Sequence, residues 1–305
     1  MDTYLIGQTL IPLTRQPEPG EEILILLTSD ELAQQPSISG LEHVLHHTPP
    51  ARDARVCKAE VRLDCLSGTV VTPRHTRGGE QISFGYLLTK DRAVLCDDTG
   101  AAYSMIKRLV KEKRWSEGGV GRLFYEFLLL LIAKDLHHLE EVEDQLAGLE
   151  DQVLTGKLEH FNGQMAILRK EILGWSRYYA QLYDVASELQ EDENDFFSES
   201  EQRLFHILEQ RIARLRNEAQ LLREYGLQVQ ELFQAEIDIL QNRIMRILTV
   251  VTTVFMPLSL LVGWYGMNFS GMVELTWKYS YRAMFVVSAL IVLFCLWIMK
   301  KKKFW

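Results

Sequence analysis

The chain has 305 residues, 47% of them hydrophobic and 24% charged, with a net charge of −8. That length accommodates one or two domains with a real core. The acidic balance, with no basic cluster before the last few residues, argues against a nucleic-acid-binding surface and for no nucleic-acid partner. The average conceals an asymmetry. Charge is dense up to Arg246, and none occurs from Ile247 to Val273. The N-terminal Met-Asp-Thr-Tyr-Leu-Ile lacks a basic region followed by an apolar one, so no signal peptide is expected and the bulk of the chain reads as cytosolic. Cys57, Cys65, Cys96 and Cys295 make no C-x-x-C pair, and they read as buried free thiols.

Residues 1–115 read as a cytosolic α/β domain. Ile23 to Leu27 is a continuous apolar run, expected to be a buried strand. Arg55 to Val71 alternates apolar and polar residues and is expected to break at Ser67-Gly68. Ile82–Leu88 and Ala93–Cys96 flank Thr89-Lys90-Asp91-Arg92, a hairpin pattern. Short helices are expected near Gly40–His47 and Thr99–Lys113.

Residues 116–200 read as an antiparallel helical pair. Leu123–Leu154 and Lys157–Leu189 carry Leu and Glu at helical spacing, and they join near Thr155-Gly156. An acidic run follows, from Glu188 through Glu191, Asp192, Glu193 and Asp195. Ser198 and Glu201 then form an S-x-x-E capping box that should start a new helix.

That helix is the longest element: a stalk over 201–246 that continues into a first transmembrane helix over 247–267. Apolar residues recur at Leu204, Leu208, Ile212, Leu215, Ala219, Leu222, Val229, Leu232, Ile237, Leu240 and Ile244, an amphipathic stripe. At ~1.5 Å per residue such a rod is on the order of 100 Å long, so it needs partner helices from its own chain or from other copies.

Ile247 to Met267 is 21 residues without a charge, close to what a bilayer requires. An external loop over 268–279 leads to a second transmembrane helix over 280–299, with Tyr279, Tyr281, Arg282 and Trp297 at its ends, and a basic tail over 300–305. Arg243, Arg246 and Lys300 to Lys303 outnumber Lys278 and Arg282. This bias places both termini in the cytosol. The predicted fold is therefore an α/β N-terminal cytosolic domain, a long α-helical stalk and a C-terminal two-helix transmembrane hairpin. Its partner is the lipid bilayer of the inner (plasma) membrane.

On the first span, Asn242, Met245, Thr249, Thr252, Met256, Ser259 and Gly263 fall on one face, with Leu248 beside them. Two readings of these small, polar and flexible residues stand side by side. They let membrane helices pack closely, or they line a wet pore made by several copies. Pro257 frees the carbonyl of Thr253.

Phe255-Met256-Pro257-Leu258, followed by Gly263-Trp264-Tyr265-Gly266-Met267-Asn268-Phe269, resembles the first membrane helix and G-M-N signature of the CorA-type magnesium/divalent cation channel family. The likeness begins at Asn242-Arg243-Ile244-Met245 and runs past Met272-Val273-Glu274-Leu275 into the lysine tail, covering about residues 240–305. Upstream, the helical order agrees with the family's layout, and the α/β part matches only by pattern.

The resemblance implies a homopentamer that carries divalent cations and is not an enzyme. Mg²⁺ is the expected ion, as cargo and with a regulatory role left open, and Co²⁺ or Ni²⁺ are its surrogates. Gly266, Met267 and Asn268 would form the selectivity filter, with a ring of Asn268 amides at the outer mouth binding hydrated Mg²⁺. Asn242 would form a polar ring at the cytosolic end. Met245, Leu248 and Met256 would be apolar constrictions, and Ser259 stands where relatives often have threonine. Because Mg²⁺ dehydrates reluctantly, neutral oxygens that bind its water shell suit a first filter. The first span ends at that mouth, so its helix C-terminus offers partial negative charge, and Glu274 adds attraction. An inside-negative potential of ~100 mV favours entry of a divalent ion by roughly 4.6 kcal/mol.

Two positions depart from the family pattern. Val273 replaces the usual proline of M-P-E-L, and Ile207 stands where an aspartate for a cytosolic regulatory Mg²⁺ site is expected. A zinc transporter of the same superfamily is the near rival. A membrane-anchored helical scaffold or signalling protein without transport is the rival from another class. Weaker patterns read as structural. His43, His46 and His47 make a surface group. His137-His138 with Glu140 and Glu141 does not form H-E-x-x-H. Gly118-Gly119-Val120-Gly121 reads as a loop, not a nucleotide site. The acidic run at 188–201 reads as a solvated helix junction.

Overall fold

A computed structural model of the chain describes residues 1–34, 54–74, 81–112, 114–115, 117–267 and 277–301. It divides into two compact units, Met1–Gln230 and Glu231–Trp305.

The first unit opens with β1 (Asp2–Ile6), β2 (Leu10–Pro12) and β3 (Ile23–Leu27), followed by helix α1 (Ser29–Gln34). Strands β4 (Lys58–Val61), β5 (Leu66–Val71), β6 (Ser83–Leu88) and β7 (Arg92–Cys96) complete a seven-stranded sheet of order β2-β1-β3-β7-β6-β5-β4. Only the β3–β7 pair is parallel among these pairings. Every residue of β3 is buried, which is why its sequence is an unbroken apolar run: both faces of the sheet are covered there. Ile23, Ile25, Val94 and Leu87 share one core cluster. On β6, Phe84 meets Phe127 edge-to-face at 5.0 Å, and Tyr86 meets Phe124 at 4.9 Å.

Those phenylalanines belong to a run of helices. α2 (Ala101–Glu112) is followed by α3 (Val120–Leu131), α4 (Asp135–Leu154), α5 (Phe161–Glu191) and α6 (Glu199–Tyr265). In the second unit α6 is followed by α7 (Ser280–Lys301). The α/β sheet region, the long helix and the apolar C-terminal helix match the predicted fold class.

Three details differ from the sequence reading. The break in Arg55–Val71 falls between Val61 and Leu66, not at Ser67-Gly68, which lie inside β5. Gly68 marks a close approach instead. A Cβ there would collide with the Lys58 carbonyl oxygen and sit 2.6 Å from the Tyr86 hydroxyl. Second, the expected single helix over Leu123–Leu154 is two, because the chain tightens at Ile132–Lys134 and restarts at the buried Asp135. The apolar spacing persists across the break, and no Gly or Pro announces it. Third, β1 and β2 are short strands that the sequence pattern did not resolve. The helix expected near Gly40–His47, with its three histidines, lies outside the described residues.

The turn at Thr155-Gly156 is present, with Gly156 at φ +75° and the Thr155 hydroxyl donating to Asp151 O at 2.9 Å. The capping box is formed too. Ser198 N–H donates to Glu201 Oε2 at 2.9 Å, and Glu201 N–H donates to Ser198 Oγ at 3.4 Å. Glu201 Oε1 also accepts from the Arg122 N–H at 3.0 Å, so one carboxylate serves the starts of both α3 and α6. The glycine run is the space it occupies: a Cβ at Gly119 would collide with that oxygen. Glu22 bonds the Val120 N–H at the same helix start, and burial, then the neighbouring Glu201 charge, pushes its carboxyl above the ordinary range.

Candidate functional site

α6 runs unbroken through Pro257 to Tyr265. Its charge-free stretch and α7 are both long and apolar enough to cross a membrane. Within the second unit, the two faces of α6 differ. Val250, Val254, Pro257, Leu258 and Leu261 are partly covered and recur at helical spacing. Leu261 and Tyr265 line one hollow with Trp277 and Met284, so this side looks toward α7. Asn242, Met245, Leu248, Thr252, Met256, Ser259 and Gly263 are all exposed, and Thr249 is partly covered. Met256 reaches 72% exposure, so the helix pair does not consume this face in its own packing.

The hydroxyls on this face are oriented by the helix itself. Thr249 donates to Met245 O at 2.8 Å. Thr252 donates to Leu248 O at 2.9 Å and shares its proton with Thr249 O at 3.2 Å. A hydroxyl that gives its proton to the backbone keeps its oxygen lone pairs for a cation or its water shell.

Gly266 and Met267 close the helix. The Gly266 N–H donates to Val262 O at 2.8 Å, and the Met267 N–H donates to Trp264 O at 3.4 Å. A Cβ at Gly266 would stand 3.0 Å from the Val262 carbonyl oxygen, so a larger residue would crowd this last turn. Asn268 and Glu274, the remaining expected filter and loop residues, lie outside the described residues.

The other candidates resolve into structure. Asp192, in the acidic run, is buried with φ +44°, and its carboxylate accepts from Phe196 N–H at 3.0 Å, Phe197 N–H at 2.8 Å and Gln202 Nε2 at 3.2 Å. It closes the α5–α6 junction with these bonds. Among the described residues, no group of three or more His, Cys, Asp or Glu side chains is placed to hold a metal ion. His137 is exposed beside Glu140 and Glu141 at 3.5 and 3.6 Å. His138 turns inward, 3.1 Å from Glu171, with its ring tilted against Trp175 at 4.8 Å between centroids. The nearby Asp135 carboxyl is pushed up to about 7 by burial, with the neighbouring Tyr179 hydroxyl and His138 acting in the lowering direction. Sequence spacing did not mark this buried α4–α5 cluster, because its members are separated by the turn between the helices. Ile207 is 41% exposed, and His206 and Glu209 beside it pair at 3.4 Å.

All four cysteines are free and buried. Cys295 adds a contact that the sequence reading missed: its Sγ lies 3.6 Å from the Thr253 carbonyl oxygen, the acceptor that Pro257 leaves open. The signal was present in the proline, but its partner lies 42 residues away and had no motif.

Comparison with known proteins places this arrangement in a family. Over 235 residues, 75% of this chain and 66% of the relative, the chain is 23% identical to the cobalt/magnesium transport protein CorA of Thermotoga maritima. It is 26% identical over 166 residues, 54% of this chain and 50% of the relative, to the zinc transport protein ZntB of Yersinia enterocolitica. These matches span two thirds or less of the relatives' lengths. The complete structure of the CorA magnesium transporter from Methanocaldococcus jannaschii has the same fold, with a TM-score of 0.80 and 19% identity, covering 98% of this chain and 96% of that one. Residues 96–301 match the family described as CorA-like Mg2+ transporter protein, and the chain belongs to that family.

Proposed function

We propose that this chain forms a homopentameric channel for divalent cation uptake, with Mg²⁺ as the principal cargo and Co²⁺ or Ni²⁺ as surrogates. The observation that carries this reading is the open face of α6 from Asn242 to Gly263. It combines exposed amide and hydroxyl oxygens with apolar residues on a helix apolar enough to cross a bilayer, and it is turned away from the residues that meet α7. Polar groups facing lipid are costly, so such a face calls for water or for other copies of itself. In a closed ring both are supplied, and symmetric self-association is the ordinary route to a ring.

In this arrangement residues 1–246 are cytosolic, 247–267 and 280–299 span the inner membrane, and 268–279 lie outside. Gly266, Met267 and Asn268 form the outer filter, and Glu274 attracts cations toward it. Asn242, Met245, Leu248, Thr249, Thr252, Met256, Ser259 and Gly263 line the path. The protein performs no covalent chemistry. An inside-negative potential supplies the driving force, roughly 4.6 kcal/mol for a divalent ion at ~100 mV.

A second reading, zinc transport, has support in the likeness to a zinc transport protein. Flux assays in proteoliposomes with an imposed inside-negative potential separate the two. The expected result is Mg²⁺ entry that Co²⁺ or Ni²⁺ can replace. Zn²⁺ entry without any Mg²⁺ response would sink the magnesium assignment.

A further inference from the structure

Pro257 has no N–H, so the carbonyl of Thr253, one turn earlier, has no donor from its own helix. In a membrane helix such a freed carbonyl is satisfied by a neighbouring helix, a hydroxyl side chain or an ordered water. Here the group comes from the second span. Cys295 Sγ stands 3.6 Å from Thr253 O, within reach of a thiol donor. Cys295 and Met299 are the two buried residues of α7, at 9% and 4% exposure, so the contact sits where that helix is most closely packed. On the next residue back, the Thr252 hydroxyl is bonded to Leu248 O and Thr249 O on the open face. One turn of α6 is thus held from its packed side while it presents Thr252 and Met256 on the other.

We propose that Cys295 is a positioning residue for the ion path: its S–H donates to the Thr253 carbonyl released by Pro257, and this bond holds α6 in the geometry that sets Thr252 and Met256 on the open face. It touches no ion. The inference rests on reading that face as the pore, whereas the bond itself can be tested without transport.

The experiment uses the full chain reconstituted in proteoliposomes, as wild type, Cys295→Ala, Cys295→Ser, Pro257→Ala and the Pro257→Ala/Cys295→Ala double variant. Infrared difference spectra, wild type minus Cys295→Ala, isolate one S–H stretch. It should lie at the frequency of a hydrogen-bonded thiol; a free-thiol frequency overturns the proposal. In Mg²⁺ flux, Cys295→Ala should lose about fivefold when Pro257 is present. In the Pro257→Ala background, where the new backbone N–H restores the helix bond, the same change should lose less than about twofold. Cys295→Ser, which keeps a donor, should retain most of the flux. Equal losses in both backgrounds, or a serine variant no better than alanine, would show that the side chain acts by packing alone and overturn the proposal. If wild type carries no ion at all, the channel reading fails, and the infrared band still decides whether the bond exists.

Discussion

The stripe along α6 meets two different fates. In the first unit, Phe205, Leu208, Ile212 and Ala219 are each 0% exposed, covered by their own chain. In the second, Leu240, Ile244 and Met245 continue the helical spacing at 44%, 56% and 59% exposure. The first half of the code is answered within one chain. The second half is left uncovered by its own chain, and the proposed channel would cover it with a bilayer and other copies of the same helix. Under the proposed channel, one amphipathic pattern serves folding in one region and assembly in the other.

Substitutions that truncate the stripe should separate the two roles most sharply. Leu208→Ala removes a fully buried side chain and should cost roughly 2–5 kcal/mol of stability, read as a lower urea midpoint by circular dichroism. Ile244→Ala should leave that midpoint within about 0.5 kcal/mol but lower the oligomer mass in detergent. Equal losses of stability at both positions would erase the distinction.

A smaller effect should come from Asp135, at the start of α4. Its folded carboxyl is pushed up to about 7, above its ordinary value of 3.8, chiefly by burial. Between these values the folded state holds a proton that the unfolded state releases. Its contribution to stability is therefore full below ~pH 4 and is lost as pH rises through ~7. Asp135→Asn should remove that dependence, so its stability relative to wild type should improve by roughly 1–3 kcal/mol between pH 5 and pH 8. A difference constant with pH would mean that the buried carboxyl does not titrate in this window.

Local code was legible where neighbours in sequence are neighbours in space. The β3 run, the β6–β7 hairpin, the Gly156 turn and the Ser198–Glu201 cap each close within a few residues, and each is present. What escaped depended on distant partners. The restart at Asp135 buries a carboxyl among side chains of another helix, the Glu201 carboxylate reaches back to Arg122, and the glycine at 68 makes room for Tyr86 and Lys58. The same division holds at the candidate site. Helical spacing alone placed the face from Asn242 to Gly263, but it left close packing and a wet path as equals. α7 lies on another side of the helix and leaves that face open, and the proposed path makes use of it. The thiol that meets Thr253 O had no sequence signal of its own.

Asn268→Ala tests the proposed ion path most directly, because it removes the amide of the proposed outer filter. The measurement is Mg²⁺ influx into proteoliposomes under an inside-negative potential, for wild type and Asn268→Ala at matched oligomer content. Loss of the proposed amide ring should reduce influx by at least about tenfold, the equivalent of ~1.4 kcal/mol. Influx unchanged by the substitution, or absent from wild type, would contradict a pore with its filter at that turn.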